Sequence, residues 1–237
     1  MINKGKAVTN IFKIIIILLL PMVTLLSILE YYAFNKDFYM DEYLKYDISS
    51  ETKMSYEELA RVTDKLISYI KGEEENLRIK AIIDGNISEV FGKREKAHMI
   101  DVKELFAKGR RLRNTGLIVT VISIILVLWF SRNRKEDTFK IMFWSGIIPL
   151  FTIGILFILV TIDFHKYFTY FHKIFFDNDL WQLNPKTDVL IQMLPLGFFT
   201  DITIRVLIWF IGISVFMTII AYFKLRKIRI DRNSTHV

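Results

Sequence analysis

The chain contains no cysteine. That absence excludes disulfides, thiolate metal ligands, thiol redox chemistry and a cysteine acyl-enzyme. Proline is scarce, with 4 in 237 residues, and histidine equally so, also with 4; any imidazole chemistry therefore rests on very few side chains. There is no GxSxG elbow and no HExxH pair, so a serine hydrolase and a zincin both lack a sequence basis. Internal repeats and low-complexity linkers are missing as well.

What is present is long apolar sequence. Hydrophobic residues make up 52% of the chain and aromatics 14%. Four runs are too long and too free of charge for helices of a small soluble core: about Ile14 to Ala33, Leu117 to Phe130 with its flanks, Ile141 to Ile162, and Ile204 to Phe223. Each approaches the ~20 residues that cross a bilayer. The expected fold class is an α-helical integral membrane protein with four transmembrane helices and an extracellular, mainly helical cap. The first run follows Lys4 and Lys6 like a secretory signal, but SILEYYAFNK offers no small-x-small cleavage site, so an uncleaved anchor is expected.

Basic residues set the orientation. Lys4, Lys6 and Lys13 precede the first span, Arg132, Arg134, Lys135 and Lys140 separate the second from the third, and Lys224, Arg226, Lys227, Arg229 and Arg232 follow the fourth. All three groups are expected on the cytoplasmic side. The resulting division is 1–34 for the cytoplasmic end and first span, 35–114 for the cap, 115–131 for the second span and 132–140 for a cytoplasmic loop. It continues with 141–163 for the third span, 164–202 for an aromatic interfacial segment completing the cap, 203–224 for the fourth span and 225–237 for a basic cytoplasmic tail. One basic cluster, Lys108, Arg110, Arg111 and Arg113, stands outside this rule, in a long loop where the rule weakens. The formal charge of +7 is thus topology plus an outer collar suited to anionic headgroups of membrane lipids; nucleic acid is not expected as a partner.

In the outer segments, Ser55-Tyr56-Glu57-Glu58 forms a capping box before a helix whose face is Leu59, Val62, Leu66 and Ile70, closed by Gly72. Ile79–Ile83 and Ile87–Phe91 flank the turn signal Asp84-Gly85-Asn86 and read as a hairpin. From Lys93 to about Lys108 the pattern is helical, placing His98, Asp101 and Leu105 near one face. The segment HKYFTYFHKIFFDNDLW suits an interfacial helix with His165, Phe168, His172, Phe175 and Phe176 on a shared face, stopped at Asn178-Asp179. A short helix with Asn184 as N-cap and Pro185 at its first position is expected next, ending before Pro195.

Aromatics at a membrane edge are most often an anchoring belt, and His165 and His236 have ordinary readings as a headgroup-level ring and a tail residue. His98 and His172 differ, because each is set among polar groups on the same side of the membrane. Arg94, Glu95 and Asp101 lie within helical reach of His98, and Asp101 is placed to orient the imidazole; a solvated helix face with an ion pair is the alternative. His165 and His172 are two turns apart, too far for one metal ion, so no metal and no cofactor is expected. Acid–base chemistry by two histidines at the membrane edge is what remains.

The stretches REKAHMIDVKELF and FHKIFFDNDLWQLNPKTDVLIQMLP, on a four-span chain of this length, resemble the lipoprotein intramolecular transacylases of Gram-positive bacteria. The carrying patterns are HM-x-DVK and FH-x-x-FF-x-N-x-x-W. The resemblance implies transfer of the sn-2 O-acyl chain of a diacylglyceryl-cysteine lipoprotein to the α-amine of the same cysteine, giving a lyso-form N-acyl lipoprotein. It also implies that His98 and His172 are the catalytic pair, with Arg94, Glu95, Asp101, Phe175, Phe176, Asn178 and Trp181 binding or orienting substrate. Such a transfer needs no enzyme nucleophile, which accommodates the missing cysteine and serine elbow. His98 is taken as the base and His172 as the acid or oxyanion partner, the reverse remaining open; Arg94, Asn178 and the Trp181 indole are further candidate donors. Two other classes of function stay in view: a non-enzymatic lipid- or partner-binding membrane protein, and a metal-dependent lipid hydrolase.

Overall fold

The computed structural model describes residues 4–234; His236 lies outside the described residues, as do the side chains of Lys4 and Lys6. The order is α1 (Lys4–Ala33), α2 (Lys36–Lys45), α3 (Ile48–Thr52), α4 (Tyr56–Lys71), β1 (Lys80–Ile83), β2 (Asn86–Glu89), α5 (Lys93–Phe130), α6 (Arg134–Ile162), α7 (Phe164–Phe175), α8 (Val189–Met193) and α9 (Leu196–Ser234). Four of these, α1, α5, α6 and α9, are long and apolar enough to cross a membrane. The chain divides into two compact units, one formed by residues up to Ile28, Arg111–Ile158 and the chain from Val206, the other by Leu29–Arg110 and Leu159–Arg205.

The first unit holds most of the apolar helix length, and its clusters are small. Ile16, Val127 and Ile141 form one, and Ile153, Leu207 and Phe210 another, while Trp129 and Phe151 are each 75% exposed. Lipid is the solvent such surfaces require. Close helix approach is made by small residues. A Cβ on Gly146 of α6 would stand 2.2 Å from Thr218 Oγ1 and 2.6 Å from the Ser214 carbonyl of α9, so only glycine fits at that crossing. At one end of this unit Lys13 pairs with Asp137 at 2.7 Å, and Arg232 donates to Glu136 at 2.5 Å. The start of α1, the start of α6 and the end of α9 therefore share an end.

The second unit has a continuous core, in which Tyr43, Met54, Leu59, Leu66, Phe91 and Met193 are among the fully buried side chains. Helix α4 forms as its pattern requires: Leu59, Val62, Leu66 and Ile70 are buried, Ser55 Oγ accepts from the Glu58 N–H at 3.2 Å, and Gly72 closes the helix at φ +85°. The capping box is only half made. Glu58 turns its carboxylate to the Ile82 N–H (3.0 Å) and Arg61 (2.5 Å), fastening β1 to the helix. The hairpin is antiparallel, with Ile82 opposite Ile87 and left-handed backbone at Asp84 and Gly85 in the turn.

The helix expected from Lys93 is present and runs on as the 38-residue α5, because Gly109 and Gly116 are surrounded by helix-compatible residues and nothing stronger breaks it. Two expectations are corrected. Asn184 does not cap a helix. Its side chain accepts from the Lys186 N–H at 3.0 Å in a turn, its own N–H donates to Asp188 at 2.7 Å, and the short helix starts at Val189. Finally, His165 is exposed whereas His172 is buried, because ring partners from other elements reach Phe168 and His172, in the form of Phe199 and Trp181.

Candidate active site

Two elements of the second unit bring the histidines together. His98 sits in the second turn of α5 and His172 in the last turn of α7, each 7% exposed, with ring centroids 6.1 Å apart. Phe176, just past the end of α7, touches both: its ring lies 5.3 Å from His98 and 5.5 Å from His172. Trp181 stacks on His172 at 4.8 Å and 29°, and Phe168 closes another side at 4.3 Å. Phe175, expected beside them, is 52% exposed and meets Phe171 instead.

A hydrogen bond sets the tautomer of His172, and burial without a partner favours the opposite one for His98. His172 Nδ1 is 2.8 Å from the Phe168 carbonyl. A carbonyl only accepts, so Nδ1 carries the proton and the neutral ring keeps a bare lone pair on Nε2. His98 Nδ1 is buried with no hydrogen-bond partner. An orphaned buried N–H is the costlier defect, so the bare nitrogen is Nδ1 and the N–H is on Nε2. The pair thus offers one basic nitrogen and one donor. Burial pushes His98 down to about 4, helped by the His172 charge and opposed by Asp101. Burial also lowers His172, against the Phe168 bond. Both rings are neutral at neutral pH.

The surrounding polar groups do not take the places expected of them. Asp101 makes no hydrogen bond to His98; its Oδ2 accepts from Asn178 Nδ2 at 2.9 Å. Glu95 is 2% exposed and accepts from the Gly92 N–H at 2.5 Å and the Leu190 N–H at 2.6 Å; burial raises its proton affinity in spite of these bonds. Arg94 donates to the Asp179 carbonyl at 2.5 Å and pairs with its carboxylate at 3.3 Å. Asp101 and Arg94 together clasp the 176–183 segment, which carries Trp181, to α5. Among the described residues no group of three or more histidines and carboxylates is placed to hold a metal ion.

Sequence reasoning missed two features. The Phe168 carbonyl, which sets the His172 tautomer, is four residues upstream, a spacing any helical histidine could use. Glu42, 1% exposed, meets Arg205 at 3.2 Å and has its proton affinity raised to about 7 by burial and the neighbouring Asp201; no local pattern marks that pair.

Comparison with known proteins agrees with this architecture. The chain is similar to the membrane-integral lipoprotein intramolecular transacylase Lit from Bacillus cereus, with a TM-score of 0.80 at 21% identity over 95% of this chain and 99% of that one. A form of the same Bacillus cereus protein with one histidine replaced by alanine matches with a TM-score of 0.73 at 21% identity, over 95% and 97% of the two chains. An uncharacterized protein of Aquifex aeolicus (strain VF5) is 27% identical over 217 residues, covering 88% of this chain and 93% of its own. The fold is that of a membrane-integral protein with four candidate spanning helices. The model of the family "Lipoprotein intramolecular transacylase Lit" matches residues 14–199, and the chain belongs to that family.

Proposed function

We propose that this protein moves the sn-2 O-acyl chain of a diacylglyceryl-cysteine lipoprotein to the α-amine of the same cysteine, at the outer surface of the bacterial cell membrane. The observation that carries the reading is the pair of buried histidines with ring centroids 6.1 Å apart, of which His172 is bonded through Nδ1 to the Phe168 carbonyl. The nucleophile is the substrate's own amine, so the enzyme must supply only a base, a donor and confinement. The His172 Nε2 lone pair takes a proton from the amine as nitrogen attacks the ester carbonyl. The His98 Nε2–H donates to the developing oxyanion, as a neutral imidazole can when its proton affinity is depressed. The attack forms the C–N bond; collapse restores the carbonyl, breaks the ester C–O bond and passes the proton from His172 to the departing glyceryl oxygen. These roles reverse the sequence-based assignment: a ring pushed down to about 4 is the weaker base of the two.

Ring closure through the glyceryl carbons, sulfur and cysteine backbone is entropically poor, and the walls of Phe168, Phe176 and Trp181 support a preset conformation. The sidedness rests on the basic segments: the Lys13–Asp137 and Arg232–Glu136 pairs gather them at one end, which the loop-charge rule assigns to the cytoplasm with both termini. The Leu29–Arg110 and Leu159–Arg205 unit is then the extracellular cap.

The test is tandem mass spectrometry of a lipoprotein's N-terminal lipopeptide from cells with and without the protein. Acyl migration is isomeric, so fragments must locate the chain on nitrogen or oxygen. N-acyl lyso-form peptide is expected only with the wild type; a diacylglyceryl peptide with a free amine in all samples would sink the reading.

A further inference from the structure

Resting on that reading, we propose that Asp101 is the binding carboxylate for the substrate's α-ammonium group, and so selects lipoproteins with a free N-terminus. The nucleophile has an ordinary pKa of about 8 and arrives mostly as a cation at neutral pH. The two histidines offer it no charge, since both are neutral. An ammonium entering a site enclosed by Phe168, Phe176 and Trp181 loses hydration, and its desolvation is tolerated only beside an opposite charge.

Asp101 meets that need by position. It lies one turn beyond His98 on the same face of α5, near enough for its charge to act on that ring. Asn178 holds its Oδ2 at 2.9 Å, whereas Oδ1 has no hydrogen-bond partner among the described residues. The other charged groups around it are already committed. Arg94 is held by Asp179 on the 176–183 segment, Glu95 by the Gly92 and Leu190 N–H groups, and Lys103 by the Glu74 carbonyl and the Tyr69 ring. From α7 the nearby titratable group is His172, with its bare Nε2. A cation docked on Asp101 Oδ1 would release its first proton to bulk water on becoming the free amine, leaving His172 Nε2 bare to take the second as the amine attacks, and the stacked Trp181 ring adds a π surface suited to ammonium.

Asp101→Asn is the decisive variant, because the amide oxygen still accepts from Asn178 while the charge is gone. Turnover of a synthetic diacylglyceryl-cysteine peptide by the full-length protein in lipid bicelles is followed by fragment mass spectrometry from pH 6.5 to 9. At pH 6.5 the variant is expected to lose about tenfold to a hundredfold in kcat/KM, the weight of one charge-assisted contact. The defect narrows toward pH 9, where the amine is free in solution. Asp101→Glu restores part of the loss. Asn178→Ala, which loosens the clasp but keeps the charge, gives a defect that does not change with pH.

A binding measurement separates this inference from the proposed reaction. The probe is a dialkyl-ether analogue that cannot transfer, used with a free and with an acetylated N-terminus. Wild type is expected to prefer the free amine and Asp101→Asn to lose the preference, whether or not turnover is seen. Equal binding of the two probes by wild type, or an Asp101→Asn defect constant across pH, would overturn the role of Asp101. Absence of N-acyl product from wild type would instead overturn the reaction.

Discussion

The two units are built by different solvents. In the unit formed by Leu29–Arg110 and Leu159–Arg205, one continuous cluster buries Tyr43, Leu59, Leu66 and Phe91 almost completely, as water demands of a small domain. In the unit formed by the spanning helices, the clusters hold three buried residues each, and large apolar side chains such as Phe216 remain 66% exposed. Apolar burial earns nothing between helices already in lipid, so Gly146, Ser214 and Thr218 bring backbones close instead. The histidine pair sits in the unit where side chains can be fixed by packing on every side, and the same amino acids carry different meaning in each unit.

The largest break in that contrast comes from the histidines. His172→Ala is expected to lower N-acyl formation by 10²–10⁴-fold, an estimate typical of losing a general base, and His98→Ala by ~10²–10³-fold for one oxyanion donor. Both also leave a cavity among Phe168, Phe176 and Trp181 and should lower Tm in detergent, so the activity loss is compared at a temperature where each variant is folded. Phe151→Leu, on a spanning face that is 75% exposed, should leave both rate and Tm unchanged.

Next in size are two substitutions that strain each unit by its own rule. Glu95→Ala strips an acceptor from the buried Leu190 and Gly92 N–H groups and should cost about 1–3 kcal/mol of stability, read as a lower Tm in detergent and bilayer alike. Gly146→Leu must push α6 from α9 and should cost a similar amount, about 1–3 kcal/mol. Its size should change between detergent and bilayer, because lateral packing is what it breaks. Equal responses to the two media would remove the contrast.

The pH dependence of stability is smaller and has a definite sign. His98 stays neutral in the folded chain down to about pH 4, whereas an unfolded imidazole protonates near 6.5. Between those values the unfolded chain binds the extra proton, so stability falls as pH is lowered through the window. A Tm series from pH 7 to 4 should show this decline, with a shallower slope in His98→Gln. Smallest of all, Lys36→Ala removes an exposed pair with Asp64 and should cost under ~1 kcal/mol.

Local features were legible in the sequence. The Ser55 cap, the Gly72 stop and the Asp84-Gly85 turn depend on neighbouring residues alone, and each formed where the spacing put it. The four spanning helices were legible from apolar length, although α5 and α9 run further than their spans because helix continuation needs only the absence of a breaker. The site was half legible. The settings of His98 and His172 set them apart from the other histidines, and their rings do meet, but nothing local said that Asp101 would turn to Asn178 across 77 residues or that Glu95 would serve Leu190 across 95. Those partners are chosen by the packed core, which has no signature in a local window. Glu42 and Arg205, 163 residues apart, are the extreme case.

The exposure of the two histidines, 7% each, also bears on which acceptor wins. Water is a rival nucleophile for any activated ester, and aminolysis and hydrolysis share the same tetrahedral beginning. In the proposed transfer the proton taken from the attacking amine returns to the departing oxygen, a substrate that arrives as ammonium gives up one further proton, and a turnover consumes no water. Seclusion from water therefore withholds no reactant from the transfer, while it starves the competing lipase reaction. Enclosure, more than the identity of the base, would set the partition ratio between an N-acylated product and a lost fatty acid.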